Sequence, residues 1–296
     1  MEEIKEIQAI NCQTLRQKIR CYIRSPLSFL LLALVTVSAF ITVLTLLFLV
    51  VYILVKGVPY LTPDLFAWEY NSENVSLMPA LINTLIMTAL SLLIAGPLGI
   101  FAAIYLVEYA RRGNKLVAIV RVTVETLSGI PSIVYGLFGF LLFAVTLGWS
   151  YTLLGGALTL AIMILPLIMR TTEEALKAVP DSYRAGSFGL GAGRLRTVFQ
   201  IVLPSAVPGI LAGIILAVGR IVGETAALMY TAGTVAGVPA NLFGSGRTLA
   251  VHMYVLTNEG LYTNQSYATA VVLLIIVVGI NALSSLIARK IAGKGN

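Results

Sequence analysis

The chain has 296 residues, 58% of them hydrophobic and only 11% charged, with a formal net charge of +7. A soluble domain carries about 25% charged residues, so a water-facing globule is excluded and lipid is left as the surroundings that tolerate an apolar exterior. Two cysteines, Cys12 and Cys21, and a single histidine, His252, point to neither a disulfide framework nor a zinc site.

Residues 1–27 form a polar tail with Lys5, Arg16, Lys18, Arg20 and Arg24. The first apolar run, 29–55, is far longer than a signal-peptide core and lacks a small-residue cleavage site, so it predicts an uncleaved anchor. Further runs of about 20 apolar residues predict spans at 78–107, 117–145, 153–169, 204–230 and 268–288. Lys and Arg fix the orientation. Arg111, Arg112, Lys115 and Arg121 follow the second span; Arg170, Lys177, Arg184, Arg194 and Arg196 follow the fourth; Arg289, Lys290 and Lys294 close the chain. The opposite loops hold only Lys56 and Arg247. This bias predicts a multi-pass protein of a cell membrane with both termini in the cytoplasm. The basic balance is therefore read as topology, with no nucleic-acid partner. One six-helix domain over 28–290 is expected, with a second short tail at 291–296.

Within the third span, Gly129-Ile-Pro131 and Gly136 are expected to kink the helix and line a cavity. Arg121 and Glu125, four apart, read as a helix-end pair. Arg170 closes the fourth span, as an interfacial anchor or as a pathway residue.

The longest polar stretch is 171–203. Its first part, 172–179, is helical in pattern; Pro180 interrupts it, and Asp181 or Ser182 is placed to cap a short helix starting near Tyr183. Gly189, Gly191 and Gly193 allow a tight turn. A third helical piece then leads to Leu203-Pro204, with Pro204 suited to the first turn of a new helix. The glycine cluster lacks the Lys-Ser/Thr of a phosphate loop. The chain is thus not expected to be an enzyme, and any ATP-driven work requires a nucleotide site on another chain.

In the fifth span, Arg220 and Glu224 are four apart and would share one helix face. Arg220 lies roughly 24 Å beyond Pro204 at 1.5 Å per residue, too deep to snorkel. An ionisable group at such depth costs about 2.5–3.5 kcal/mol on insertion scales. Two readings stand: an anion pathway in which the guanidinium fork meets an oxyanion, or an Arg–Glu pair fastening two helices. Gly209/Gly213 and Gly219/Gly223 each form a GxxxG pattern for close helix contact. His252, in an outer loop, reads as a surface or packing residue.

The segment Ala185-Gly186-Ser187, Gly191, Ile201-Val-Leu203-Pro204 resembles the cytoplasmic coupling loop of binding-protein-dependent ABC importer permeases, with Ala-Gly-Ser in place of the leading Glu-Ala-Ala. The strings 97–112 (PLGIFAAIYLVEYARR), 128–139 (SGIPSIVYGLFG), 165–180 (LPLIMRTTEEALKAVP) and 217–233 (AVGRIVGETAALMYTAG) extend the similarity to the phosphate-specific PstA family over most of the chain. The resemblance implies an all-α integral membrane protein of six transmembrane helices with the type I ABC importer permease fold. It implies inorganic phosphate as substrate, with molybdate or sulfate as the rival oxyanions and an ATP-independent transporter as the rival class. It implies a pathway through Arg220, Glu224 and Arg170. Contact with the ATPase would come through Tyr183, Arg184, Ala185, Gly186, Gly191, Leu203 and Pro204. The implied partners are a PstC-like second permease, two PstB-like ATPases carrying ATP and Mg, a PstS-like extracytoplasmic phosphate-binding protein, and membrane lipid. No cofactor is expected in this chain.

Overall fold

The computed structural model describes residues 26–111 and 113–292. The first 25 residues, with both cysteines and the five tail cations, and Arg112 and Lys294 lie outside the described residues. Every regular element among those described is helical. The chain divides into two units at Val55/Lys56.

The first unit contributes α1 (Pro26–Gly57), an unbroken apolar helix that runs just past the boundary, with Pro26 at its start and Lys56 in its last turn. At 32 residues it reaches about 48 Å at 1.5 Å per residue, longer than the roughly 30 Å hydrocarbon layer.

The second unit holds the rest. The chain runs through two short 3₁₀ turns, Val58–Tyr60 and Pro63–Phe66, into α2 (Met78–Ile104), which widens into a π-helical turn at Tyr105–Tyr109. Then come α3 (Lys115–Ser128) and α4 (Ser132–Gly139), the latter widening at Phe140–Thr146. Next are α5 (Leu153–Lys177), α6 (Asp181–Gly189) and α7 (Arg194–Thr197). A π-helical turn, Val198–Val202, joins α7 to α8 (Leu203–Val222). The chain ends with α9 (Ala226–Thr231), α10 (Leu249–Glu259) and α11 (Thr263–Ala292).

Five helical stretches are long and apolar enough to cross a membrane, and a sixth counts if the bent pair α3–α4 is one span. The six expected spans are thus recovered with three changes of shape. The third is no kinked rod: α3 and α4 meet at 103° across Gly129-Ile130-Pro131. The fifth stops at Val222, eight residues before its expected end, and α9 is a separate piece. The fourth continues to Lys177, so Arg170 sits inside a helix rather than at its end. Nor does Pro204 begin a new helix, because the stretch is continuous from Arg194 to Val222. The wide turn at Val198–Val202 carries the chain past a residue that has no N–H to give.

α2, α5 and α8 form the centre. Met87, Leu160, Ile164, Ile168, Ala217 and Ile221 are buried together there. Lipid tails are as apolar as leucine, so close contact rather than water exclusion holds such helices together. Gly99 lies so near Ile168 that an added Cβ would come within 2.9 Å of its side chain. Ser91 Oγ donates to the Ala157 carbonyl at 3.0 Å. In α8, Gly209 and Gly213 pass directly over Ala175 and Thr171 of α5. The second GxxxG pair does not do this: nothing lies within 4 Å of a Cβ at Gly219, and Gly223 meets only its own helix backbone. Gly213→Val is therefore expected to destabilise the solubilised protein by about 1–3 kcal/mol through overpacking, with Gly219→Ala within about 0.5 kcal/mol of the parent. Thermal unfolding of the two variants checks this.

Candidate translocation site and coupling knob

Two breaks in the helices define the site. At the first, the bend after α3 frees backbone carbonyls, and the Tyr135 hydroxyl donates to the Leu127 carbonyl at 2.8 Å, strapping α4 back onto α3. At the second, α8 ends at Val222, and Glu224 Oε1 accepts from the Ala227 N–H at 3.1 Å, starting α9. The two pieces beyond the breaks pack on each other. A Cβ at Gly136 of α4 would lie 2.8 Å from the Ala227 Cα, and Gly139 abuts Thr231 of α9 and Thr159 of α5. Helical ends exposed at membrane depth are tolerated where they are buried in protein or line a wet cavity.

Arg220 stands in the last turn of α8, at this junction. It is exposed on the surface of the chain. The expected pairing with Glu224 is not made. The helix breaks between them, Glu224 is 9% exposed, and its carboxylate serves the backbone of α9. Among the described residues no hydrogen bond or ion pair reaches the Arg220 guanidinium. Its fork is left open to whatever passes or packs outside.

Arg170 is not brought to this junction by any contact. Its Nε bonds Glu174 at 3.2 Å on the exposed face of α5. It shares a charged recess of about 210 Å³ with Arg121, Glu125, Glu173 and Lys177. Arg121 does not pair with Glu125 as the sequence suggests. It crosses to Glu173 of α5 at 2.8 Å, and Lys177 reaches the same carboxylate oxygen at 2.7 Å.

The segment after α5 folds as the expected helix, glycine turn and helix. Gly191, at φ +81°, takes the left-handed backbone that a Cβ would strain, and Ala192 N–H closes the turn onto the Ser187 carbonyl at 3.1 Å. Ser187 Oγ and Thr197 Oγ1, 2.8 Å apart and buried, tie α6 to α7. Tyr183, Leu190 and Leu195 project into the open, Leu190 being 91% exposed. Ala185 and Gly186 are exposed beside them, whereas Leu203 packs against the buried cluster beneath, and Pro204 lies on the open side of α8.

Arg184 differs from its expected place as an ATPase contact. It turns inward. Nη2 bonds Glu108 at 2.7 Å and the Leu176 carbonyl at 2.9 Å, Nη1 bonds the Val179 carbonyl at 2.8 Å, and Nε bonds Glu108 at 3.2 Å. Asp181 caps no helix through its side chain; its carboxylate accepts from Arg184 Nη1 at 3.2 Å. The side chain of Arg184 is 15% exposed and that of Glu108 9%. One guanidinium thus pins α6 to the far end of α2 and to the last turn of α5.

At the opposite end the structure reveals a cluster that sequence reading passed over. Arg247 is 4% exposed, its guanidinium lies 4.7 Å from the centre of the Tyr70 ring, and Nε and Nη2 have no partner among the described residues. The ring face offsets part of the desolvation. The only sequence signal was an arginine alone in a cation-poor loop. His252 is not in a loop; it lies in α10, fully buried, 6.1 Å from Tyr70 ring to ring. Burial first, and then the Arg247 charge, push it down to about 3. A histidine held neutral in the fold but free to protonate near 6.5 when unfolded removes stability as pH falls. The folded protein is expected to lose about 1.4 kcal/mol per pH unit between about 6.5 and 3 from this group, and His252→Phe should flatten that slope in thermal unfolding scans.

Comparisons with known proteins agree with this architecture. Residues 95–294 match the family described as binding-protein-dependent transport system inner membrane component. The chain is 36% identical over 225 residues to the probable ABC transporter permease protein YqgI of Bacillus subtilis, covering 71% of this chain and 76% of that one. It is 37% identical to the phosphate transport system permease protein PstA 1 of Mycobacterium tuberculosis, covering 70% and 69%. With PstA of Haemophilus influenzae the identity is 34%, covering 73% and 77%. Among solved structures, a bacterial alginate ABC transporter in complex with a pentasaccharide-bound periplasmic protein aligns with a TM-score of 0.68 at 17% identity, covering 94% of this chain and 98% of that one. The inward-facing methionine transporter MetNI aligns at 0.56 and 22% identity, covering 73% and 94%. These structural likenesses share the fold of ABC importer permeases.

Proposed function

Given that the chain belongs to the binding-protein-dependent transport system inner membrane components, we propose that it is one permease half of an ATP-driven importer of inorganic phosphate. One observation carries the reading: an arginine in the last turn of an apolar span, at the break before α9, open at the chain surface, with its fork left free by the carboxylate four residues on. Its relatives named for phosphate transport supply the substrate class. In a paired permease the open side of α8 faces the second chain, and Arg220 lines the pathway between them. The fork accepts two oxyanion oxygens. Transport needs binding weak enough for release, and a single guanidinium fork suits that.

The coupling knob supports an ATPase partner. Tyr183, Leu190 and Leu195 form an apolar tip around Gly191, held rigid by the Ser187–Thr197 link and the Arg184 clamp. Two copies of a PstB-like ATPase grip this tip and its counterpart on a PstC-like permease, and a PstS-like protein delivers phosphate from outside. Both termini lie in the cytoplasm in this orientation. The junctions after α3 and α8 then rearrange as the halves rock between inward and outward access.

A competition assay tests the substrate. In vesicles carrying the assembled importer and its binding protein, uptake of labelled phosphate should resist a large excess of molybdate or sulfate. Equal displacement by either anion would assign the pathway to another oxyanion. Uptake that persists without ATP would remove the importer class.

A further inference from the structure

A cavity of about 850 Å³ lies away from the Arg220 junction. It lies between the far end of α2, the start of α3, and α6 with α7. Among the described residues six cations line it, namely Arg111, Lys115, Arg121, Lys177, Arg184 and Arg194, against the acids Glu108 and Asp181. Those acids are both engaged by Arg184, and Glu173 just outside holds Arg121 and Lys177. Taking the two wall acids and Glu173 from the six cations leaves an excess of three positive charges. Three cations accordingly have no carboxylate partner among the described residues: Arg111, Lys115 and Arg194. Arg194 has only the Tyr109 ring, 5.5 Å away. All three are exposed, and all three line the one recess.

Apart from Asn114, the remaining side chains of the wall are apolar, with Leu106, Val107, Val117 and Phe188. Beside it, α3 presents Leu116, Ile119 and Val122 outward, each at least 60% exposed. A soluble anion has no use for such a wall, whereas a lipid brings a charged phosphate and an apolar stem together. We propose that this cavity holds the phosphate of an anionic phospholipid headgroup from the cytoplasmic leaflet, gripped by Arg111, Lys115 and Arg194. The inference rests on the orientation proposed above, which puts this face in the cytoplasm. It places a lipid anion against α6, so the lipid around the protein bears on the segment that meets the ATPase. Basic recesses between helices at that face suit such headgroups, and each cation near an anionic surface contributes about fivefold in binding.

The test uses the assembled importer in nanodiscs of mixed zwitterionic and anionic phospholipid, with retained lipid counted by native mass spectrometry after extraction. The parent and a Lys56→Gln control should keep anionic lipid in preference to zwitterionic. The triple variant Arg111→Gln/Lys115→Gln/Arg194→Gln should lose that preference by more than tenfold. Single Lys115→Gln and Arg194→Gln variants should lose about fivefold each, which keeps the test open if the triple variant fails to assemble. Inorganic phosphate and glycerol phosphate, added at millimolar concentration, should leave the bound lipid in place. Equal retention in parent and single variants overturns the proposal, as does displacement of the lipid by inorganic phosphate, which would assign the recess to a soluble anion. Retention is measured without transport, so a failure of the phosphate assay leaves this result standing.

Discussion

Arg220→Gln is expected to cut phosphate uptake by about 100-fold while leaving the fold intact. A hydrogen bond to a charged group is worth about 1.5–3 kcal/mol, and the variant removes both the charge and the paired geometry. Stability should stay within about 0.5 kcal/mol, because no residue described in the structure depends on that guanidinium. Arg220→Lys should fall between, keeping the charge but losing the planar fork. Glu224 separates the two roles. Glu224→Gln keeps an oxygen for the Ala227 N–H and should be nearly silent. Glu224→Leu leaves a buried donor unpaired and should cost about 1–3 kcal/mol. Uptake assays beside thermal unfolding distinguish these outcomes, and normal uptake in Arg220→Gln would remove the pathway role.

The second large effect is expected at the Arg184–Glu108 pair. Both side chains are largely withdrawn from solvent, so Arg184→Met strands a carboxylate and should destabilise the protein by about 3–5 kcal/mol. Exchanging the two residues should not rescue it. Arg184 also donates to the carbonyls of Leu176, in the last turn of α5, and Val179, just past it, and a carboxylate at that position would face them as a like partial charge. Function should fail in a particular way. With α6 freed from α2, ATP hydrolysis should continue while uptake falls at least tenfold, since the tip still docks but no longer moves the helices behind it. Parallel ATPase and uptake measurements read this directly, and tight coupling in Arg184→Met would count against the clamp.

How far the sequence reached can be seen residue by residue. The six apolar runs were legible because membrane thickness demands length, and length is written in the chain. The break in the third run was half legible: Gly129-Ile-Pro131 announced a kink, but not a turn of 103°. The break after α8 was hidden, because the four-residue spacing of Arg220 and Glu224 fits a continuous helix as well as a broken one. What decides between them is the packing of α9 on Gly136, a contact 91 positions back in the chain. The glycine turn of the coupling knob was legible from Gly189, Gly191 and Gly193, whereas the inward turn of Arg184 was not. Its partner Glu108 lies 76 residues away, beyond the reach of local spacing. The buried setting of Arg247 escaped for the same reason: a loop rich in glycine and other small residues gives no hint that Tyr70 will close over it.

The sharing of Glu173 has a mechanical result. One carboxylate oxygen serves Lys177 on its own helix and Arg121 on a different one. If α3 swings away, the acid keeps its intrahelical companion, and the departing arginine, with its side chain 44% exposed, is solvated at once. Neither ion is abandoned in a dry place at any stage of the swing. Such a catch opens and shuts on a shallow energy slope, which would suit the rocking motion proposed above.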